Sequence, residues 1–527
     1  MARRHRVYRQ IEGKKRYEHR AKAVVSVSFL VLILAFPLSV YKAKIAAVID
    51  VPSAMDVAQV ARNLACGGGF TTNIIQPNIY SALPRFTKPP DIVNPPLHVW
   101  LLAWLPGMGK GTTLTPPDST VINFSSFFYL LTAMFVFMLE RRICGNKTFS
   151  IAALICLFSM PLLRAAVSGD GETLCAAMIT LLFLMVYIDK NQSFLYSFLV
   201  GAVLGLCYLT SYVFLAMLIP LIAHKIARGG EGLLRHLGAV IVGVIVVSIP
   251  WMLRNMHFGG NVLIAQPFYA VFLGSEKAAG AATVGAKLYL QFFQFYGNIV
   301  REYGGVFVLA FFVISPLVRS DSPEVQGAKV FLWTGLALVF LFSMLGKGGS
   351  SALTAFLPGA ILLGSKTFID LIPRQGGDSS LFRNRVIALF IALNLMPFAV
   401  TVLSAPAAGN ALGRHEVRLR TMADMHSLMH AGEIMMTNAP EWMSYYGEFN
   451  TLPIPRSGAE LKKWEDEFGH LCFAAVCPYG VRGPVENMIL NGRIVPSWFI
   501  NDKAHIYPEG ENFFVVAEAE DITVGSR

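Results

Sequence analysis

Charged residues are scarce in this chain. Asp, Glu, Lys and Arg make up 15% of the 527 residues, whereas a soluble chain carries roughly a quarter. Hydrophobic residues make up 54%, and apolar runs of about 18 or more residues recur along most of the chain before residue 405. The scarcity of charge therefore excludes an ordinary soluble protein and predicts a polytopic membrane protein with one tail of different composition.

Two common binding signatures are also missing. The seven cysteines include no CxxC spacing and no cluster with histidine, which argues against a structural zinc site. The glycine run Gly67–Gly69 has no P-loop lysine, so it is weak evidence for phosphate binding. We find no internal repeat and no low-complexity tract.

The excess of positive charge does not indicate nucleic acid. The net charge is +11, and much of it lies in residues 1–22, directly before the apolar segment 23–41. A basic segment in this position holds the N-terminus in the cytoplasm. Because the apolar segment is long and no small-residue cleavage site clearly follows it, we interpret it as a retained first helix rather than a signal peptide.

Alternating the direction of the apolar segments predicts about eleven membrane-spanning helices, with the N-terminus inside and the C-terminus outside. The loops placed inside then hold the clusters of Arg and Lys, as the positive-inside rule requires. The predicted spans lie near residues 23–41, 121–139, 149–167, 173–188, 194–226 (two spans divided at 209–212), 237–251, 306–318, 330–345, 352–372 and 386–403.

The composition divides the chain into two domains. Residues 1–405 form the predicted transmembrane domain, with a first external loop at 42–118 and a second long external loop at 254–305. After residue 405 apolar runs shorten and charge rises. Helical patterns at 416–430 and 457–468 and β-rich runs such as LCFAAV and NFFVVAE predict a small α/β domain at 406–527 on the outer face.

The first external loop carries two carboxylates just beyond a membrane span, Asp50 and Asp56. A carboxylate at the outer headgroup level can deprotonate an acceptor hydroxyl or amine. The alternative is that Asp56 opens the helix MDVAQVARNL, where its charge suits the helix dipole. Arg62 lies on the same helix and could hold a phosphate bidentately or pair with a lipid headgroup.

Further polar residues are predicted on the outer side. Asp170 and Glu172, in the turn SGDGE, are candidates for a second acid, or caps of the fourth span. Arg164 and Arg254 lie near outer span ends, against the inside bias, so they are candidates to bind a lipid-linked phosphate; the alternative is snorkelling.

The segment KPPDIVNPPL is predicted to be an extended chain, since each residue before proline is pushed out of the helical region. It would present Lys88 and Asp91 at the membrane surface. A stiff surface loop is the alternative for these two side chains.

The ordered set SAMDVAQVARNLACGGGF, NPPLHVWLLA and, after a later span, IPWMLRN resembles bacterial polytopic glycosyltransferases of the GT-C class, such as protein O-mannosyltransferases and the lipid A aminoarabinose transferase. The resemblance covers the membrane part. It implies a GT-C-like fold, transfer of a hexosyl or pentosyl group from a polyprenyl-phosphate donor, and an acceptor that is protein, lipid or glycan. It also implies the bacterial cytoplasmic membrane, with membrane lipid as partner and no nucleic acid.

The resemblance also implies roles for residues. Family members transfer sugar through an acid of the first external loop, which Asp56 matches, with Asp50 as the alternative. The family's common Asp-Glu pair is absent, because Val57 follows Asp56. Asp170 or Glu172 would match an acidic position in the second outer turn. Either residue could also be a ligand of a divalent metal ion. The departing phosphate would be stabilised by arginines such as Arg62 and Arg254.

Two other classes of protein are less favoured by the sequence. A transporter or lipid flippase would place ionisable residues near span centres or repeat broken helices in two halves. In this chain the ionisable residues lie at span ends and are concentrated on the predicted outer side of the membrane. A non-catalytic scaffold does not explain the paired carboxylates and arginines of the outer loops, so we predict a glycosyltransferase.

Overall fold

The computed structural model describes residues 35–44, 49, 51–75, 88–110, 118–144, 150–188, 193–228, 232–259, 297, 303, 306–319, 323–345, 351–372, 379–404, 434–437, 439–454, 471–476, 499–509 and 512–519. Helices dominate these residues, in agreement with the predicted fold class. In chain order they are α1 (35–44), α2 (Pro52–Ala65), α3 (Pro96–Ala103), α4 (Asp118–Cys144), α5 (Ile151–Leu157), α6 (Met160–Ser168), α7 (Glu172–Ile188), α8 (Phe194–Thr210), α9 (Leu218–Arg228), α10 (Leu233–Gly259), α11 (Val308–Ile314), α12 (Pro323–Leu345), α13 (Ser351–Thr354), α14 (Leu357–Leu371), α15 (Ser379–Ser404) and α16 (Pro440–Gly447).

Four of the described helices, α4, α10, α12 and α15, are long and apolar enough to cross a membrane. The bent pair α5–α6 is a fifth candidate, and shorter apolar helices include α7 and α8. These helices agree with a multi-pass membrane protein. The count of eleven spans and the orientation of the termini stay predictions.

The predicted third span, 149–167, is not one straight helix. It is divided into α5 and α6, which meet at 49°. Ser159 has an extended backbone (φ −69°, ψ 115°), and Pro161 lies in the first turn of α6, where proline is tolerated although it would break a helix interior. The proline therefore starts a new helix where apolar length alone predicted continuation.

The long apolar segment 194–226 is divided where the sequence predicted. Helix α8 ends at Thr210, and Ser211 is extended (φ −158°, ψ 123°). A 3₁₀ helix, Tyr212–Met217, leads from there into α9.

Helices α8 and α10 approach each other closely because glycine lies at their crossing. A Cβ on Gly201 would lie 2.1 Å from the Val240 carbonyl oxygen, and one on Gly243 would lie 2.3 Å from the Phe198 carbonyl oxygen. Small residues at such crossings let helix backbones pack directly in a membrane.

Two short helices lie in the predicted first external loop. Helix α2 begins with Pro52 in its first turn and is followed by Gly67, whose φ of +83° is left-handed, a conformation that glycine adopts at little cost. Helix α3 begins at Pro96 and has eight residues, too few to span a bilayer. Both agree with the sequence interpretation of this loop.

The described C-terminal residues form a five-stranded sheet in the order β2-β1-β3-β5-β4. Its strands are β1 (Ile434–Thr437), β2 (Asn450–Pro453), β3 (Leu471–Val476), β4 (Phe499–Glu509) and β5 (Asn512–Ala519). Strand β1 is parallel to β2 and β3, whereas β5 is antiparallel to β3 and β4. The predicted helices at 416–430 and 457–468 lie outside the described residues, and the domain boundary and the outer location stay predictions.

Candidate active site

A cleft of about 210 Å³ lies where the α6–α7 turn meets the start of α2. Its three charged lining residues, Arg164, Asp170 and Glu172, are all ones that the sequence singled out. The lining residues are Val51, Pro161, Arg164, Ala165, Ser168, Asp170, Glu172, Tyr303 and Thr354.

A short turn presents Asp170 to this cleft. Gly169, with φ of +77°, ends α6 in the left-handed conformation, which suits a helix C-terminus. The hydroxyl of Ser53 on α2 donates to Asp170 Oδ2 (2.8 Å), and the Gly171 N–H donates to Asp170 Oδ1 (2.6 Å). Burial raises the pKa of Asp170 despite these two bonds. The turn and the first-loop helix are therefore joined through the predicted second acid.

A buried imidazole lies behind the same turn. His98 of α3 is 5% exposed and stacks on the Phe124 ring with 5.4 Å between centroids. A Cβ on Gly171 would lie 2.8 Å from His98 Nδ1, so only glycine leaves room for the ring. Burial lowers the pKa of His98 to about 4, and the imidazole is neutral at physiological pH.

Asp56 is paired with a second carboxylate through one amide. Asn94 Nδ2 donates to Asp56 Oδ2 (3.0 Å) and to Asp91 Oδ2 (2.8 Å). The backbone N–H groups of Val93 and Asn94 donate to Asp91 Oδ1 at 2.9 and 3.2 Å. These bonds draw Asp91 inward, to 1% exposure, so the predicted presentation of Asp91 at the membrane surface is wrong.

Burial and the neighbouring Asp91 charge raise the pKa of Asp56 to about 7, although Asn94 and Gln59 donate hydrogen bonds that oppose the shift. Burial also raises the pKa of Asp91. A carboxylate that titrates near neutral pH is suited to general-base catalysis. Asp56 is not one of the residues that line the cleft. It lies three residues after Ser53, which bonds to Asp170, and positions i and i+3 are neighbours on a helix surface.

Asp50, the alternative base, lies outside the described residues. It directly precedes Val51, which lines the cleft. Glu172 lines the cleft as well. Among the described residues no group of three or more His, Cys, Asp or Glu could hold a metal ion, so we derive no catalytic step through a metal at Asp170 and Glu172.

The four predicted phosphate-binding cations have different surroundings. Arg164 is exposed and lines the cleft, and Lys88 is also exposed. Arg62 is 4% exposed and contacts the C-terminal region through the Ser444 carbonyl (3.3 Å) and Glu448 (3.3 Å).

Arg254 donates to two backbone carbonyls of the first loop, those of Asp91 (2.7 Å) and Phe70 (2.9 Å). Its guanidinium also lies over the rings of Phe70, Trp251 and Phe258. These contacts favour structural roles for Arg62 and Arg254 and leave Arg164 as the cation of the cleft.

An apolar groove of about 380 Å³ adjoins the cleft and shares Tyr303 with it. The Tyr303 hydroxyl and Thr354 Oγ1 are 2.7 Å apart, where the two spaces meet. The other residues that line the groove are Leu309, Phe312, Val313, Trp333, Leu336, Ala337, Phe340, Leu353, Phe356, Leu357 and Ala360. A charged space and an apolar one therefore lie on either side of Tyr303.

Sequence reasoning missed the roles of several residues. Asp91 was predicted at the membrane surface or in a stiff surface loop, and Asn94, Asp118 and the Tyr445–Tyr446 pair received no role. The two prolines on each side of DIVN were the available signal, because they hold a short polar segment in a fixed shape. Nothing in the sequence indicates that Asp118 meets tyrosines more than 300 positions away.

Comparison with known proteins gives a family-model match and similar solved structures. A family model described as dolichyl-phosphate-mannose-protein mannosyltransferase matches residues 93–252. ArnT from Cupriavidus metallidurans in the apo state is similar in structure over 94% of this chain and 98% of its own, with a TM-score of 0.59 and 12% identity. No curated protein matches the sequence.

A second structural match is the Archaeoglobus fulgidus oligosaccharyltransferase tethered to an acceptor peptide. The match covers 84% of this chain and 68% of the other, with a TM-score of 0.52 and 12% identity. This chain therefore has the fold of the GT-C glycosyltransferases. Within that class it is similar over nearly its whole length to ArnT.

Proposed function

We propose that this protein is a membrane glycosyltransferase that moves a hexosyl or pentosyl group from a polyprenyl-phosphate donor to a protein, lipid or glycan acceptor on the outer face of the bacterial cytoplasmic membrane. The observation that carries the proposal is the junction of the charged cleft and the apolar groove at Tyr303. A lipid-linked sugar phosphate has the same two parts, a charged head and an apolar chain.

The charges of the cleft suit this donor. The guanidinium of Arg164 supplies a hydrogen-bonding fork for phosphate oxygens. Asp170 and Glu172 face the same space and offer acceptors for sugar hydroxyl groups. The donor reaches such a site laterally from the bilayer through the apolar groove, so its chain need not leave the membrane.

The reaction is an inverting displacement at the anomeric carbon. Asp56, or Asp50 in its place, accepts the proton of the acceptor hydroxyl or amine. The acceptor atom forms a bond to the anomeric carbon as the bond to the phosphate oxygen breaks. The polyprenyl phosphate leaves with that electron pair, and Arg164 stabilises its charge.

Asparagine in place of Asp56 and Asp50, singly and together, tests the role of the base. Loss of a general base lowers the rate by about 10²- to 10⁴-fold, and we expect that loss in the single variant that removes the base and in the double variant. Asp370→Asn is the matched control, because Asp370 pairs with Lys366 on α14, away from the cleft. Full transfer activity in a correctly inserted double variant contradicts the assignment.

A further inference from the structure

Two tyrosines of the C-terminal helix α16 bind the carboxylate that opens α4. The Tyr445 hydroxyl donates to Asp118 Oδ1 (2.8 Å), and the Tyr446 hydroxyl lies 2.9 Å from Asp118 Oδ2. Tyr445 is 0%, Tyr446 1% and Asp118 8% exposed. Burial and the adjacent Asp118 charge raise the pKa of Tyr445 well above its ordinary value, so its hydroxyl stays a donor.

The same cluster holds Ile49, which directly precedes Asp50 in the chain. The Tyr446 hydroxyl lies 2.8 Å from the Ile49 carbonyl oxygen, and the Ile49 N–H lies 3.4 Å from Asp118 Oδ2. The Ile49 side chain is 1% exposed, and its Cδ1 would lie 3.5 Å from a Cβ on Gly169. Ile49 is therefore bonded to the tyrosine cluster by its backbone and packed by its side chain against the turn that carries Asp170.

A second connection reaches Asp56 from the sheet. The Ile75 N–H donates to the Thr451 carbonyl (2.8 Å), and the Thr451 N–H donates to the Asn73 carbonyl (2.8 Å). The Asn73 N–H in turn donates to Gln59 Oε1 (3.1 Å), and Gln59 Nε2 lies 3.3 Å from Asp56 Oδ1. The first loop thus pairs with β2 at the point from which Gln59 reaches the predicted base.

These contacts are directional, and their polar atoms are buried. Burying a carboxylate and two hydroxyl groups is costly unless each finds a partner, and hydrogen bonds fix an orientation that apolar packing alone leaves free to slide. The tyrosine hydroxyl groups therefore fix the orientation of the chain at Ile49, which apolar packing alone would not do.

We propose that residues 434–437 and 439–454 are a positioning element of the active site, in which the Tyr445–Tyr446–Asp118 cluster and the Thr451–Asn73–Gln59 connection set the place of Asp56 relative to Asp170. This inference rests on the proposed function. The C-terminal region would then raise the rate of transfer without contacting the donor.

The test compares Tyr445→Phe, Tyr446→Phe and the double variant with wild type in purified, detergent-solubilised protein. Tyr196→Phe is the matched control, because it also removes a hydroxyl that donates to a carbonyl, that of Met185 (2.9 Å). We expect at least a tenfold lower kcat in the double variant, a donor KM within twofold of wild type, and kcat within twofold for Tyr196→Phe. If the double variant does not fold, the kcat of the Tyr446→Phe single variant tests the proposal, and we expect it to be threefold lower than that of wild type.

An unchanged kcat overturns the proposal. A loss of kcat that matches the unfolded fraction overturns it as well, and so does a loss that appears equally in Tyr196→Phe. Failure of the proposed function has a different signature. Full activity in the Asp50 and Asp56 asparagine variants would refute the assigned base, whereas loss of activity there with full activity in the tyrosine variants would refute only the positioning role.

Discussion

At the scale of single residues, Asp56 and Asp91 depend on each other. One amide of Asn94 donates to both carboxylates, so their charges lie close together in a partly dehydrated space. Like charges in such a place favour protonation. Asp91 thereby helps to bring the pKa of Asp56 to about 7, where the carboxylate can both accept and release a proton at physiological pH.

Asp91→Asn should therefore move the pH dependence of transfer. Wild-type kcat/KM should fall as the pH drops through about 7, because Asp56 becomes protonated. Removal of the neighbouring charge lowers the pKa of Asp56, so the acid limb should shift to lower pH. The profile is measured between about pH 5 and 9 against Asp370→Asn. An acid limb that stays in place or moves upward contradicts the coupling.

Gly171 is the second informative residue. Its φ lies outside the left-handed region, but a Cβ would lie 2.8 Å from Nδ1 of the buried His98 ring. We expect Gly171→Ala to lower stability by about 1–3 kcal/mol, the usual cost of overpacking, and to lower transfer by moving the Asp170 turn.

Gly238→Ala is the control for this change. Nothing lies within 4 Å of the added methyl on α10, and alanine in an open helix position gains about 0.4–1 kcal/mol. Thermal unfolding in detergent compares the two variants. Equal stability of Gly171→Ala and wild type would show that His98 does not restrict the turn.

At the scale of helices and strands, local chemistry predicted much of the fold. The helical pattern MDVAQVARNL, the division at 209–212 and the β-rich runs LCFAAV and NFFVVAE all gave elements where expected. The bend between α5 and α6 was missed because Pro161 is compatible with both a helix start and a kinked span. Hydropathy measures apolar length and cannot distinguish the two.

The close crossing of α8 and α10 depends on Gly201, which has no side chain. A Cβ on Gly201 would lie 2.1 Å from a backbone oxygen of α10, which cannot move aside as a flexible side chain can. Gly201→Ala should therefore force the helices apart and lower the unfolding midpoint, with a cost at or above about 1–3 kcal/mol. Gly238→Ala on α10 serves again as the control. A Gly201→Ala protein as stable as wild type would contradict the close approach.

At the scale of the whole molecule, the site that we propose draws on distant parts of the chain. Asp56 and Asp91 belong to the first loop, Asp170 to the α6–α7 turn and Tyr445 to the C-terminal region. The types of candidate residue were visible in the sequence, because carboxylates and arginines are rare outside span ends in a membrane chain. Their pairing was not visible, since no local pattern records which loops meet in space.

The central claim is that the chain transfers sugar from a polyprenyl-phosphate donor. The most direct measurement incubates purified protein in lipid with radiolabelled polyprenyl-phosphate sugar and a membrane extract as acceptor, and follows both the released polyprenyl phosphate and the labelled product. We predict that the released polyprenyl phosphate and the labelled product appear together, and that a nucleotide sugar is not consumed in the donor's place. We also predict that Arg164→Gln raises the donor KM about tenfold or more, because a charge-assisted contact contributes about 1.5–3 kcal/mol. Consumption of the nucleotide sugar, or movement of the intact donor across the bilayer without transfer, would contradict the claim.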